Sequence, residues 1–401
     1  MNAAYQELEN RYARMSAISG AMSILGWDRS VMMPDGAAAS RAEQISALAV
    51  ISHEMSTAPD MGELIEKAAS TGGLDDWQQA NLREIRHGWL HATAVPADLI
   101  EREIRLGSEA EMTWREARAS NDFALLAPKL QALLEAVREL AAVKAEAFGC
   151  ELYDALLDGF DPGRRSSDVD RLFDELLSFL PEMVDEVLDK QAAQPEILIP
   201  EGPFSTELQE ALGRHVMELL GFDFAHGRLD VSHHPFSGGT PDDSRITTRY
   251  DDGDFTLSLM GVIHETGHAQ YERGLPKEWR GQPVGRSRGM AIHESQSLLF
   301  EMLAARSPEF IRFIAPQLRE RFGGGGETWS DDNLLRLYHK VERGLIRVDA
   351  DEVTYPLHVI LRYQLERELI AGKMQVSELP EAWNEGMRDL VGIVPETDAD
   401  G

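Results

Sequence analysis

From Ala4 to Trp27 apolar residues recur every three or four positions (Tyr5, Leu8, Tyr12, Met15, Ile18, Met22, Leu25), the period of an amphipathic helix. The same period predicts helices over 37–55, over 75–94 with Trp77, Leu82, Ile85 and Leu90 in its stripe, and over 97–119 and 125–148. A capping signal opens 166–191, whose stripe runs through Val169, Leu172, Leu176, Phe179, Leu180, Met183 and Val187. The first half reads as long antiparallel helices with charged outer faces and no visible chemistry.

The pattern changes between Pro195 and Asp254. Ile197–Pro200 reads as a short strand, 205–220 as a helix, and 228–232 and 245–250 as β-like runs. The segment between the two runs, His233–Asp243, is rich in Pro, Gly and Asp and predicts a loop. An apolar helix follows over 255–273, ended by Gly274-Leu275-Pro276. After a polar connection, 290–305 is helical, Arg321–Gly326 is a flexible connector, and 333–343 is helical. Ile346–Val348 reads as extended; helices from Asp349 or Asp351 to about Ala371 and over 378–390 complete the chain. The expectation is a mainly α fold with a small sheet just before the 255–273 helix. A helical scaffold over 1–195 and a catalytic part over 196–401 belong to one continuous fold. There is no internal repeat.

The 255–273 helix carries His264-Glu265-Thr266-Gly267-His268. Histidines four apart share one helix face and can bind one Zn²⁺. Glu265 projects about 100° round the helix. From there it can reach a water on the metal without taking a coordination position, as the general base of a peptide hydrolase must. The structural alternative is an amphipathic helix whose histidines are solvated or hydrogen-bonded in the core. Gly267 breaks the helix rule at a cost of about 0.5–1 kcal/mol relative to Ala, which suggests a close backbone approach there.

Composition narrows the class. With 69 acidic against 39 basic residues the net charge is −30, which argues against nucleic acid or an anionic membrane as partner. One cysteine, Cys150, excludes an internal disulfide and fits a reducing cytoplasm. No signal-peptide pattern opens the chain, and no apolar run reaches the length of a membrane span. The chain is expected to be cytoplasmic.

Catalytic Zn²⁺ takes three protein ligands and leaves one position open. The candidate third ligand is Glu294, 26 residues after His268 and near the start of the next helix. His293 is a rival that spacing does not separate from it. Glu272 and Glu301 are weaker rivals, and either can instead hydrogen-bond a ligating imidazole.

Five segments together resemble the carboxypeptidase Taq family of metallocarboxypeptidases. They are His234-Pro235-Phe236, Asp243-Ser244-Arg245-Ile246-Thr247, the 264–268 motif, His293-Glu294-Ser295-Gln296 and Ile346-Arg347-Val348-Asp349-Ala350-Asp351. The resemblance runs from Met1 to Gly401. It implies a mostly helical homodimer with a deep cleft, Glu294 as third ligand, and broad removal of C-terminal residues from peptides. The family's further Gly-x-x-Gln-Asp-x-His-Trp motif would begin where this chain stops, so the chain is expected to be a C-terminally truncated member. That bears on activity, not on the metal ligands.

The mechanism expected places Zn²⁺ (or Co²⁺) on His264, His268 and Glu294, with Glu265 moving the proton. A terminal carboxylate calls for a bidentate guanidinium. Arg245, Arg249 and Arg347 all fit on the residues alone; the resemblance favours Arg347, then Arg245. Each has a structural alternative, Arg245 paired with Asp243 and Arg347 with Asp349 or Asp351. His234 can donate to the substrate or to the tetrahedral intermediate, or bond backbone as a loop histidine. Two other readings share these features: a helical zinc oligopeptidase or endopeptidase, and a truncated, inactive metal-binding helical protein. Release of single C-terminal amino acids excludes the first, and hydrolysis by the metal-loaded chain excludes the second.

Overall fold

The computed structural model describes residues 2–232 and 235–400. It is mainly helical with one small sheet, as the periodicity predicts. Two compact units form, each from two stretches of chain: Met1–Ala92 with Ile197–Tyr338, and Thr93–Glu196 with His339–Gly401.

In the first unit α1 (Ala3–Val31) is capped by Asn2, whose side chain accepts from the Tyr5 N–H. Its Tyr5, Leu8, Tyr12 and Met15 stripe packs on Met61 and Ile65 of α3 (Met61–Thr71) and on Leu82 and Ile85 of α4 (Asp76–Ala94), while α2 (Ala38–Ser56) lies against α1.

In the second unit the long helices are α5 (Ala97–Ser120) and α6 (Phe123–Phe148), followed by the short α7 (Leu152–Leu157). The predicted 166–191 helix is two, α8 (Ser166–Leu177) and α9 (Leu180–Ala192). Pro181 cannot donate to the preceding turn and opens the second of them. The 349/351–371 prediction becomes α15 (Tyr355–Ile370), and 378–390 becomes α16 (Leu379–Gly386) plus a π-helical turn. Leu180, Val184, Leu357, Leu361, Leu365, Met387 and Val391 form this unit's main core.

The remaining elements of the first unit surround one helix. They are α10 (Thr206–Leu219), β1 (Gly227–Val231), β2 (Ser237–Thr240), β3 (Asp243–Thr248), α11 (Thr256–Gly274), α12 (Met290–Leu298) with its π-helical continuation (Leu299–Ala305), α13 (Pro308–Phe322) and α14 (Asp331–Tyr338). The sheet order is β1-β3-β2, with β1 parallel and β2 antiparallel to β3. β2 lies inside the segment expected to be a loop. Its Gly238-Gly239 pair hides the strand from propensity, yet Gly239 at φ 88° is what the hairpin needs, since a Cβ there would sit 2.0 Å from the Asp243 carbonyl oxygen. The expected strand at 197–200 is coil: Leu198 bonds through N–H and C=O to the Asn333 side chain (2.9 and 2.8 Å). Ile346–Val348 is not extended either; Arg347–Asp349 is a 3₁₀ turn. No helix among the described residues is long and apolar enough to cross a membrane.

Three faces of α11 are covered. Val262 and Ala269 join Ile246 of β3 and Leu229 of β1. Leu259, Met260 and Ile263 join Leu212 and Val216 of α10, Ile311 and Ile314 of α13 and Leu334 of α14. The third face meets α12. A helix buried on most sides is positioned by everything around it, which is what a rigid site needs.

Candidate metal centre

His264 and His268 stand one turn apart on α11, ring centroids 4.9 Å from each other. Glu294, in the first turns of α12, faces both. Its two carboxylate oxygens lie 3.4 Å from His264 Nε2 and 3.4 Å from His268 Nε2. One donor atom from each of the three residues fits within 4.8 Å of the others. A tetrahedral ion with bonds of about 2.1 Å separates neighbouring donors by about 3.4 Å, so the spacing and the two-imidazole, one-carboxylate set suit Zn²⁺. The histidine contacts hold the Glu294 carboxyl below the usual carboxylate range, first through the hydrogen bond with His268.

The approach of α11 to α12 explains Gly267. A Cβ there would stand 2.7 Å from Ser297 Cα and 2.8 Å from the Gln296 carbonyl oxygen. Only glycine lets the two backbones close to the distance at which Glu294 meets the histidines.

Behind the donors, His264 Nδ1 lies 2.9 Å from Glu301 Oε2, and Glu301 Oε1 accepts from Arg306 at 2.7 Å. Glu301 follows Glu294 by seven residues, nearly two turns, and belongs to the π-helical turn. With Nδ1–H donating to Glu301, Nε2 keeps its lone pair for a cation. Burial pulls the His264 pKa down, but the Glu301 hydrogen bond and nearby carboxylates outweigh it and leave it raised. Burial likewise pushes Glu301 up, and His264 and Arg306 bring it below its ordinary value.

The rival ligands are placed elsewhere. His293 Nε2 is 3.0 Å from Glu272, and its ring leans on His268 at 4.5 Å and on Tyr271 at 5.3 Å. His293 stands outside the three-donor group.

Glu265 is buried, 7 % exposed, and stands apart from that group. Burial raises its pKa; the two histidines and a hydrogen bond with Ser237 of β2 partly offset this. Nothing in the sequence marked Ser237, because its segment read as a loop.

The other predicted residues divide. Arg245 donates twice to Asp243 (3.0 and 2.6 Å) and stands over Trp27, so these two form the structural pair weighed above. Thr247 of the same strand is fully buried and holds Phe236 through its N–H (2.9 Å) and C=O (3.2 Å). Phe236 packs on Trp27 at 5.2 Å. His234 lies outside the described residues. Arg249 is exposed at the end of β3. Arg347, in the second unit, donates to the Tyr355 hydroxyl (2.7 Å), and among the described residues no carboxylate is within ion-pair range of it. Asp351 is instead engaged with the N–H groups of Val353 and Thr354 at the start of α15.

The family model described as carboxypeptidase Taq (M32) metallopeptidase matches residues 7–401. Thermostable carboxypeptidase 1 of Thermus thermophilus is 37 % identical over 411 residues, covering 100 % of this chain and 80 % of that one. The protein of the same name from Pyrococcus furiosus is 33 % identical over 405 residues, with the same coverage. Among solved structures, Trypanosoma cruzi metallocarboxypeptidase 1 superposes with a TM-score of 0.95 at 41 % identity, covering 98 % of this chain and 79 % of that one. The M32 carboxypeptidase of Deinococcus radiodurans gives 0.91 at 34 % identity, covering 100 % and 80 %.

Proposed function

The chain belongs to the carboxypeptidase Taq (M32) metallopeptidase family, and from that premise we propose that it removes C-terminal residues from peptides with broad specificity. The cation is Zn²⁺, for which Co²⁺ can substitute, held by His264, His268 and Glu294; Glu265 is the general base. The observation that carries this reading is the convergence of those three donors, with the next residue after His264 a buried glutamate that feels the charge of both histidines.

The bound cation supplies a Lewis acid that polarises the scissile carbonyl and acidifies water. Glu265 takes a proton from the attacking water on a carboxylate oxygen and later delivers it to the leaving amine nitrogen. Burial makes it a stronger base than a solvated glutamate, and Ser237 orients it. Glu301 keeps His264 turned so that Nε2 faces Glu294. β2 is an edge strand carrying Ser237, and an extended peptide can add to it as a further strand. Arg347 takes the terminal carboxylate, because Arg245 is already committed to Asp243.

The test is incubation of the metal-loaded protein with a blocked dipeptide bearing a free carboxylate. Free C-terminal amino acid should be released, and the C-terminal amide should resist; equal cleavage of both refutes the carboxypeptidase reading. Glu265→Gln should retain the metal and lose nearly all turnover, and normal turnover would remove Glu265 as base.

A further inference from the structure

The proposed metal centre leaves His293 without a part. It precedes Glu294 on α12 and stands outside the three-donor group. Its imidazole is nonetheless held on three sides. Nε2 donates to Glu272 at 3.0 Å, the Tyr271 ring meets it edge-on at 5.3 Å, and its plane lies on the His268 ring at 4.5 Å with 31° between the two. Glu272 follows His268 by one helical turn, so His264, His268 and Glu272 rise along one face of α11. From α12, Glu294 meets the two histidines of that row and His293 meets Glu272.

The two candidate ligand imidazoles are secured differently. A histidine ring turns about its last bond in a broad, two-fold well, so a neighbour must set its plane. For His264 that neighbour is Glu301, which takes the Nδ1–H. His268 lacks such an anchor: its Nδ1 is buried and has no hydrogen-bond partner among the described residues. Its Nε2 lies 3.4 Å from Glu294, a contact that sets a distance and leaves the tilt of the ring about that line free. Flat neighbours confine the tilt. The His264 ring meets His268 at 80°, whereas His293 offers a face much nearer to parallel. Offset, near-parallel rings resist rotation, because turning one drives its edge into the other. His293 in turn cannot swing aside while Nε2 is bonded to Glu272 and Tyr271 closes its flank.

The same arrangement accounts for the residue type. The Glu272 carboxylate takes a donor and His268 takes a flat ring, and one imidazole supplies both. We propose that His293 is a positioning residue of the metal centre, whose imidazole, fastened to Glu272, holds the His268 ring with Nε2 turned toward Glu294 and the cation they share. Ring contact does for His268 what a hydrogen bond does for His264. The inference rests on the donor set proposed above.

The test titrates the metal-free full chain as wild type, H293A, H293F, E272A and H264A. Zn²⁺ affinity is read against a chromophoric chelator, and Co²⁺ binding by its visible bands, which report ligand geometry; thermal melts of the metal-free proteins check folding. H293A should bind Zn²⁺ about 10–100-fold more weakly, as loss of an outer support does, and should shift or broaden the Co²⁺ bands. H293F keeps the flat ring and should recover most of both. E272A loosens the ring and should fall between wild type and H293A; it carries the comparison if H293A does not fold. If H293A or E272A matches wild type in both readouts, the inference is overturned. It is also overturned if H293F is as weak as H293A, since the ring is then not the agent. Lost affinity with unchanged Co²⁺ bands in H293A overturns it too, because the His268 ring has then not turned. H264A separates the two levels: it should lose Zn²⁺ binding, and if it binds as wild type does, the donor set itself fails and the inference with it.

Discussion

Gly267→Ala isolates the contact on which the metal centre depends. The added methyl should favour α11 intrinsically by about 1 kcal/mol, since alanine is the better helix residue. Against this, the new Cβ would stand 2.7 Å from Ser297 Cα and 2.8 Å from the Gln296 carbonyl oxygen. Both neighbours are backbone, so no side chain can swing away. Reaching ordinary contact at 3.4 Å requires α12 to retreat by about 0.7 Å. Overpacking of this kind costs about 1–3 kcal/mol, so the net loss of stability should be about 0–2 kcal/mol. The larger effect falls on the metal. Glu294 and Glu301 travel with α12, and metal–ligand distances tolerate only about 0.2 Å. Affinity for Zn²⁺ should fall at least as far as when a supporting residue is removed, about 10–100-fold. Competition with a chromophoric chelator measures the affinity, and urea unfolding of the metal-free protein measures the stability. A variant that binds Zn²⁺ as wild type does and is stabilised by the full helix gain would refute the close-approach argument.

Two further outcomes follow from side chains around the site and in the second unit. Glu301→Ala leaves His264 Nδ1 without its partner and should weaken metal binding about 10–100-fold, with Glu301→Gln intermediate; unchanged affinity in chelator competition would count against Glu301 as the anchor. His358→Leu tests a pH dependence. Burial holds the native His358 pKa below the unfolded value of about 6.5, so in acid the unfolded chain binds the extra proton. Stability from this residue is complete above about 6.5 and is lost as pH falls toward the native pKa, at a limiting slope of about 1.4 kcal/mol per pH unit. Urea unfolding near neutral pH and about two units lower should show a smaller acid loss in His358→Leu than in wild type, and equal losses would contradict the assignment.

Periodicity carried most of the helices because their stripes meet a core at 3.6-residue spacing. It failed where tertiary contact sets the backbone. β2 contains two adjacent glycines and becomes a strand by pairing with β3, which no local propensity reports. Leu198 looked like a strand residue, but Asn333, far along the chain, supplies its hydrogen bonds. The division of the chain into two units is equally hidden, because each unit joins stretches that are distant in sequence. Within the candidate site, the sequence pointed to 264, 268 and 294, which the fold brings close together, and to the anomaly at Gly267. The partners of those residues were not. Glu301 gave only a candidate role, and the bond from Ser237 to Glu265 depends on a hairpin that the composition disguised. For Arg245 the neighbouring Asp243 offered an ion pair and a substrate carboxylate offered another; the short bidentate contact shows which is made in the free protein.

Three glutamates of one chemistry surround the two histidines, and their environments separate them in the directions that the proposed roles require. Glu294 is held below the ordinary carboxylate range, chiefly by its hydrogen bond with His268. Glu301 would be pushed up by burial, but His264 and Arg306 bring it below that range as well. Both therefore stay anionic through neutral pH, as the proposed cation ligand and imidazole anchor must. Glu265 departs in the other direction, because burial outweighs the histidines and Ser237. A raised carboxylate binds a proton more readily and holds it longer, which is the property required of a group that takes a proton in one step and returns it in the next. The divergence arises from placement alone: Glu265 is buried between Ser237 of β2 and the electrostatic reach of the two histidines, whereas Glu294 of α12 and Glu301 of its π-helical continuation contact the imidazoles directly. Moving any of the three to another face of its helix would keep the composition of the site and lose the separation of roles.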